Sequence, residues 1–121
     1  MITFKKVKVY FLLIVVFFNI FCIEPSYSLS LREDLFKNAL DLSSGGKFNL
    51  ALQEWNRYID SYPDDAAGLS NRGNVRLVLG DLEGSIDDQN KAIRLNPSEI
   101  DPYINRGIAE EALGLWSQAK K

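Results

Sequence analysis

Three adjacent acid pairs, Asp64-Asp65, Asp87-Asp88 and Glu110-Glu111, are the residues in this sequence best suited to chemistry. Two neighbouring carboxylates can divide the roles of general acid and general base, or hold a calcium ion. Nothing around them supports either role. The 121 residues include no histidine, and the lone cysteine, Cys22, sits inside an apolar run. Histidine general-base catalysis and Cys/His metal sites are thereby excluded. Gly45-Gly46-Lys47 lacks the remainder of a phosphate-binding loop and falls where a bend between helices wants glycine. No catalytic residue, metal or cofactor is expected, and the acid pairs read as exposed helix faces or connections between units.

The front of the chain is ordered differently from the rest. Lys5, Lys6 and Lys8 precede an apolar run from Val9 to Ile23 broken only by Asn19, and Ser26-Tyr27-Ser28 follows. Basic, apolar, then small-x-small is the order of a secretory signal, which predicts cleavage after Ser28. The alternative is an uncleaved membrane anchor, since the run is close to the length that divides signal cores from bilayer spans. A lipid-modified Cys22 would want a small residue before it, and Phe21 stands there. Removing three lysines and Glu24 from 14 basic and 16 acidic residues leaves 11 and 15, a net charge of −4. Nucleic-acid binders concentrate positive charge on one face, so no nucleic-acid partner is expected. The expected location is exported, to a periplasm or thylakoid lumen, or membrane-anchored.

The elements that must position any site come from an internal period. Pro63 and Pro97 are 34 residues apart, and the same offset joins Asn71 to Asn105, Arg72 to Arg106, Gly73 to Gly107 and Gly80 to Gly114. Backwards it joins Leu35 to Leu69, Ala39 to Gly73, Gly46 to Gly80 and Ala51 to Ser85. A fixed period of this size decides the architecture. Residues 1–28 form the signal or anchor and 29–121 the repeat domain, with units 32–65, 66–99 and an incomplete 100–121.

Each unit reads as two helices. In the second, Leu69, Arg76, Leu77 and Leu79 lie on a helix ending near Gly80, where glycine tolerates the left-handed turn. The next helix carries Leu82, Ile86, Gln89, Ala92 and Ile93 at spacings of three and four, and Pro97 stops it. Glycines at 73 and 107 weaken isolated helices, so their recurrence predicts close helix approach there. Leu115-Trp116-Ser117-Gln118-Ala119 reads as the opening of the third unit's second helix, following a turn at Gly114.

The period, the small residues at Ala39/Gly73/Gly107 and Ala51/Ser85/Ala119, and Pro63 and Pro97 resemble the tetratricopeptide repeat (TPR) family over Arg32 to Lys121. Asn71-Arg72-Gly73-Asn74, Leu79 to Gly84 and Asp101 to Gly107 also look like exported repeat proteins of cyanobacteria and plastids. Asn38 and Arg72 stand where the family often has leucine, and Gln89 where it often has an aromatic residue. The resemblance implies an all-α solenoid of helix-turn-helix hairpins, two complete and one incomplete, that binds a protein or peptide.

By that resemblance, the first helix of each unit lines a concave groove. Phe36, Lys37 and Leu40 would line it in the first unit, Ser70, Asn71, Asn74 and Leu77 in the second, and Ile104, Asn105, Ile108 and Glu111 in the third. Asparagine offers a donor and an acceptor, so Asn71, Asn74 and Asn105 could hydrogen-bond the main chain of an extended peptide. Alternatively they cap or brace neighbouring helices. Some family members grip a terminal carboxylate with lysines and arginines. Lys37, Arg72 and Arg106 do not make the full set, and no carboxylate clamp is expected.

The resulting expectation is a protein-interaction scaffold or assembly factor, not an enzyme. The rival is a membrane-anchored structural subunit, and a truncated remnant of a longer repeat protein is a third reading. Self-association through the incomplete third unit is a further expectation.

Overall fold

The computed structural model describes residues 27–119, with side chains described as far as Gly114. Apart from residues 27 and 28, the expected signal or anchor lies outside the described residues, as does Cys22. Among the described residues no helix is long and apolar enough to cross a membrane. The chain divides into Met1–Glu33 and Asp34–Lys121. In the first unit residues 27–33 are helical, with Tyr27, Leu29 and Leu31 exposed.

The second unit is wholly helical in its regular structure. It contains α1 (34–44, the part of a helix assigned over 27–44), α2 (Phe48–Ser61), α3 (Ala66–Val78), α4 (Leu82–Leu95) and α5 (Asp101–Ala119). Helices α1 and α2 form one hairpin and α3 and α4 the next, as the period predicts. Their turns are chemically the same turn. Gly46 and Gly80 adopt φ of 72° and 85°, the left-handed conformation in which a Cβ is costly. Around them Lys47 N donates to Leu42 O and Asp81 N to Arg76 O, both at 2.9 Å, which satisfies the last carbonyls of the preceding helix.

The helix starts differ. Asp65 and Asp81 cap α3 and α4 by accepting from Gly68 N at 2.8 Å and Gly84 N at 3.0 Å. Lys47 precedes α2 with no side-chain cap, so that helix depends more on packing.

The core begins with Ala39, Ala51, Trp55, Tyr58, Ile59 and Leu69, all buried, and continues through Val75 and Ala92. Phe36 meets Trp55 and Tyr58 edge-on, with ring centroids 5.0 and 5.3 Å away. Trp55 Nε1 donates to Ser43 Oγ, which in turn donates to Ala39 O, so the fully buried indole leaves no polar atom unsatisfied.

The α3–α4 interface is tighter and more polar. A Cβ placed on Gly73 would lie 2.6 Å from Gln89 Nε2, so the expected close approach exists at this glycine. Gln89 is fully buried and donates from Nε2 to Ser70 O at 3.0 Å. Two buried atoms beside it, Gln89 Oε1 and Ser85 Oγ, have no hydrogen-bond partner.

The third unit departs from expectation. Helix α5 runs unbroken through Gly114 to Ala119, where a turn and a second helix were expected from Leu115. Gly114 does not take positive φ. Closure of the α3–α4 turn is reinforced by α4, whose Ser85, Gln89 and Ala92 bury. Among the described residues nothing follows α5 to supply such a face. Gly107 has open space where its Cβ would be, so among the described residues the close approach expected there is absent.

Candidate functional site

The expected groove residues separate into three groups. Phe36 is not a groove residue: it is half-buried and packs into the aromatic cluster with Trp55 and Tyr58. Spacing alone could not separate it from Lys37 and Leu40, which are exposed on the same helix. Leu77 is half-buried on α3. On α5, Asp101, Ile104, Ile108 and Glu111 are exposed and Asn105 is half-buried, forming one stripe at helical spacing.

The second group converges. Ala66, Ala67, Ser70, Asn71 and Asn74 of α3 face Asn96 and Glu99 of the α4–α5 connection and Asp101 and Pro102 of α5 across a recess of about 220 Å³. Ser70 is nearly buried, and its carbonyl is already engaged by Gln89. Asn71 Nδ2 donates to Ala67 O at 2.9 Å, so this amide braces its own helix with one hydrogen and keeps its oxygen and second N–H. The amides of Asn74 and Asn105 make no hydrogen bond to any described residue, which leaves a donor and an acceptor at each. Asn96, Glu99 and Asp101 belong to the same recess and were missed in the sequence. Glu99 and Asn96 lie in a connecting segment, where helical spacing gives no signal.

A larger open hollow of about 640 Å³ lies between the α3–α4 turn and α5, lined by Gly80, Asp81, Leu82, Glu83, Ala112 and Leu113. Asp81 is occupied there with capping α4. The hollow gathers few groups able to orient a ligand, and the smaller recess gathers several.

The charged residues sort by side of the helix. Arg72 chelates Asp88, with Nε to Oδ2 at 2.9 Å and Nη2 to Oδ1 at 2.7 Å, and its Nη1 donates to Asn56 at 3.2 Å. Arg76 also reaches Asp88, at 3.0 Å, and donates to Gly84 O. Arg106 donates to Asn90 at 2.8 Å and lies over the Tyr103 ring. All three guanidiniums point toward the α2 and α4 side, away from the recess. Among the described residues no arginine or lysine lines the recess, as expected for a groove without a carboxylate clamp.

Among the acid pairs, Asp88 needs correction, while Asp64 and Asp65 lie in the connection between α2 and α3 as expected. Asp88 is 4% exposed and ion-paired, not solvated, because it neutralises two arginines at the α3–α4 interface. Asp65 accepts from Gly68 N and from the Tyr58 hydroxyl at 2.8 Å, so it is a structural cap. Glu110 and Glu111 are exposed as expected. Among the described residues no group of three or more potential ligands could hold a metal ion.

The fold defines a class: an all-α stack of antiparallel helical hairpins with a 34-residue period. No family model matches the chain. It is similar to the FAM10 family protein At4g22670 of Arabidopsis thaliana, 34% identical over 83 residues that cover 69% of this chain and 19% of that protein. It is also similar to tetratricopeptide repeat protein 36 of Danio rerio, 31% identical over 92 residues, 73% of this chain and 49% of the other. The chain thus spans between a fifth and a half of these relatives' lengths. Among solved structures, the first TPR of Spaghetti (RPAP3) bound to the HSP90 peptide SRMEEVD superposes with a TM-score of 0.66 at 26% identity, covering 74% of this chain and 71% of that one. The names of the relatives and the solved TPR domains support the tetratricopeptide repeat family for this chain.

Proposed function

We propose that this chain is a protein-interaction module that receives an extended segment of a partner in the recess between α3 and the start of α5. The observation that carries this reading is the pair of unengaged amides, Asn74 in the wall of the recess and Asn105 on the α5 stripe that begins at its Asp101. An amide able to donate and accept matches the alternating groups of a peptide main chain. The solved TPR domain bound to the peptide SRMEEVD supports the use of this fold for holding peptides.

The module acts as a scaffold or assembly factor outside the cytoplasm, of the exported cyanobacterial or plastid type, with residues 1–28 as its signal. The order Lys5 to Ser28 supports export. If the segment is retained, it becomes the anchor of a membrane-bound structural subunit. The mass of the purified protein separates the two, since cleavage removes the first 28 residues.

Asn74→Ala with Asn105→Ala is the test of the groove. Capture of partners from membrane extracts in a pull-down should fall sharply while the far-ultraviolet circular dichroism is unchanged. Undiminished capture would place the site elsewhere.

A second reading is self-association through α5. It is favoured by the open space at Gly107 and the exposed Tyr103 four residues before it. A thermal midpoint that rises with protein concentration supports it. A midpoint independent of concentration counts against it.

A further inference from the structure

We infer that the groove selects basic segments of its partner, an extended peptide carrying lysine or arginine beside apolar side chains, and discriminates against acidic ones. This inference rests on the peptide-binding reading above and adds the partner's charge to it.

The recess carries Glu99 and Asp101 on its wall, and Glu111 continues the same stripe of α5. None of the three is ion-paired with a described residue, and Glu99 makes only a 3.4 Å contact with Asn96. Three arginines of α3 and α5 are committed elsewhere. Arg72 and Arg76 are held by Asp88, and Arg106 by Asn90 and Glu110. Lys37, on α1, is the exposed cation among the expected groove residues. The recess and the α5 stripe therefore present Glu99, Asp101 and Glu111 with no ion-pair partner among the described residues.

The spacing refines the ligand. Asp101 and Glu111 are ten residues apart on one helix, about 15 Å at 1.5 Å per residue. An extended peptide covers that span in about five residues. Between the acids stand Ile104 and Ile108, about half exposed, with the unengaged Asn105 beside them. The complementary segment places a cation near each end, apolar side chains between, and its main chain against the asparagines. An acidic segment on the same track would set like charges together in a partly desolvated groove.

The test uses the full chain and three labelled peptides: alternating lysine and leucine, the same with glutamate for lysine, and the same with glutamine for lysine. Fluorescence anisotropy should rank them basic, neutral, acidic, with about tenfold between the extremes at low salt and a narrower range near physiological ionic strength. In Glu99→Gln/Asp101→Asn/Glu111→Gln, with circular dichroism unchanged, the three affinities should converge. A ranking that survives in this variant would mean diffuse attraction to the acidic chain and overturns the inference. Equal binding of all three peptides to the unaltered protein also overturns it, while leaving the peptide-binding reading standing. If none of the three binds, that reading falls with it.

Discussion

The guanidinium of Arg72 holds both carboxylate oxygens of Asp88, at 2.7 and 2.9 Å, across the α3–α4 interface. Arg76 approaches the same carboxylate at 3.0 Å, so one buried acid serves two bases. Removing one partner of a buried pair leaves an uncompensated charge, which costs more than the pair contributes. Asp88→Ala leaves Arg72 without a carboxylate and Arg76 with only the more distant Asp81 at 3.5 Å, and should cost about 3–5 kcal/mol in urea denaturation. Arg72→Ala leaves Asp88 with Arg76 and should cost less, about 1–3 kcal/mol. Equal losses would show that Arg76 does not share the carboxylate.

The two glycines related by the repeat should respond with opposite sign. Alanine at Gly73 drives its methyl into Gln89 and Asp88, and about 1–3 kcal/mol of stability should be lost. Alanine at Gly107 meets nothing and removes a flexible residue from a helix interior, with an expected gain of about 0.5–1 kcal/mol. Thermal melts of both variants decide this. A destabilised Gly107→Ala would mean that the α5 face is covered in solution.

Asp65 holds the start of α3 and the end of α2 together through Gly68 N and the Tyr58 hydroxyl. Asp65→Ala should lose about 1–2 kcal/mol, and Asp65→Asn, which keeps an acceptor oxygen, should recover most of it. Failure of asparagine to rescue would assign the effect to charge instead of capping.

Phe36 and Ile104 stood together as expected groove residues, and the structure sends one inward and leaves the other outside. Phe36→Ala should destabilise by about 3 kcal/mol, because its ring fills the angle between Trp55 and Tyr58. Ile104→Ala should leave stability within about 0.5 kcal/mol and weaken peptide capture. The reverse pattern in paired denaturation and pull-down measurements would exchange the two roles.

These cases mark how far the sequence could be read. The hairpins over 34–95 were legible because their signals are local: glycine at 46 and 80 supports the turns, and the prolines at 63 and 97 lie between units. The family resemblance put Ser70, Asn71 and Asn74 on one helix face, and all three line the recess. The fates of Arg72, Asp88 and Gln89 were not legible, because a polar residue on a helix gives no sign of the opposite charge or carbonyl awaiting it on the next helix. Gly114 misled for a related reason. Glycine permits a turn, and only a second packed helix makes that turn preferable to continuing.

Arg72 donates to Asn56 and Arg106 to Asn90, two bonds whose donors and acceptors are each 34 residues apart. The bond belongs to the seam between successive units, not to any unit alone. The unit 66–99 carries both halves, Arg72 for the asparagine before it and Asn90 for the arginine after it, so a copy of that unit would bring both. Such a seam lets the gene lengthen or shorten the array by whole units without orphaning a polar group, so duplication becomes a conservative mutation.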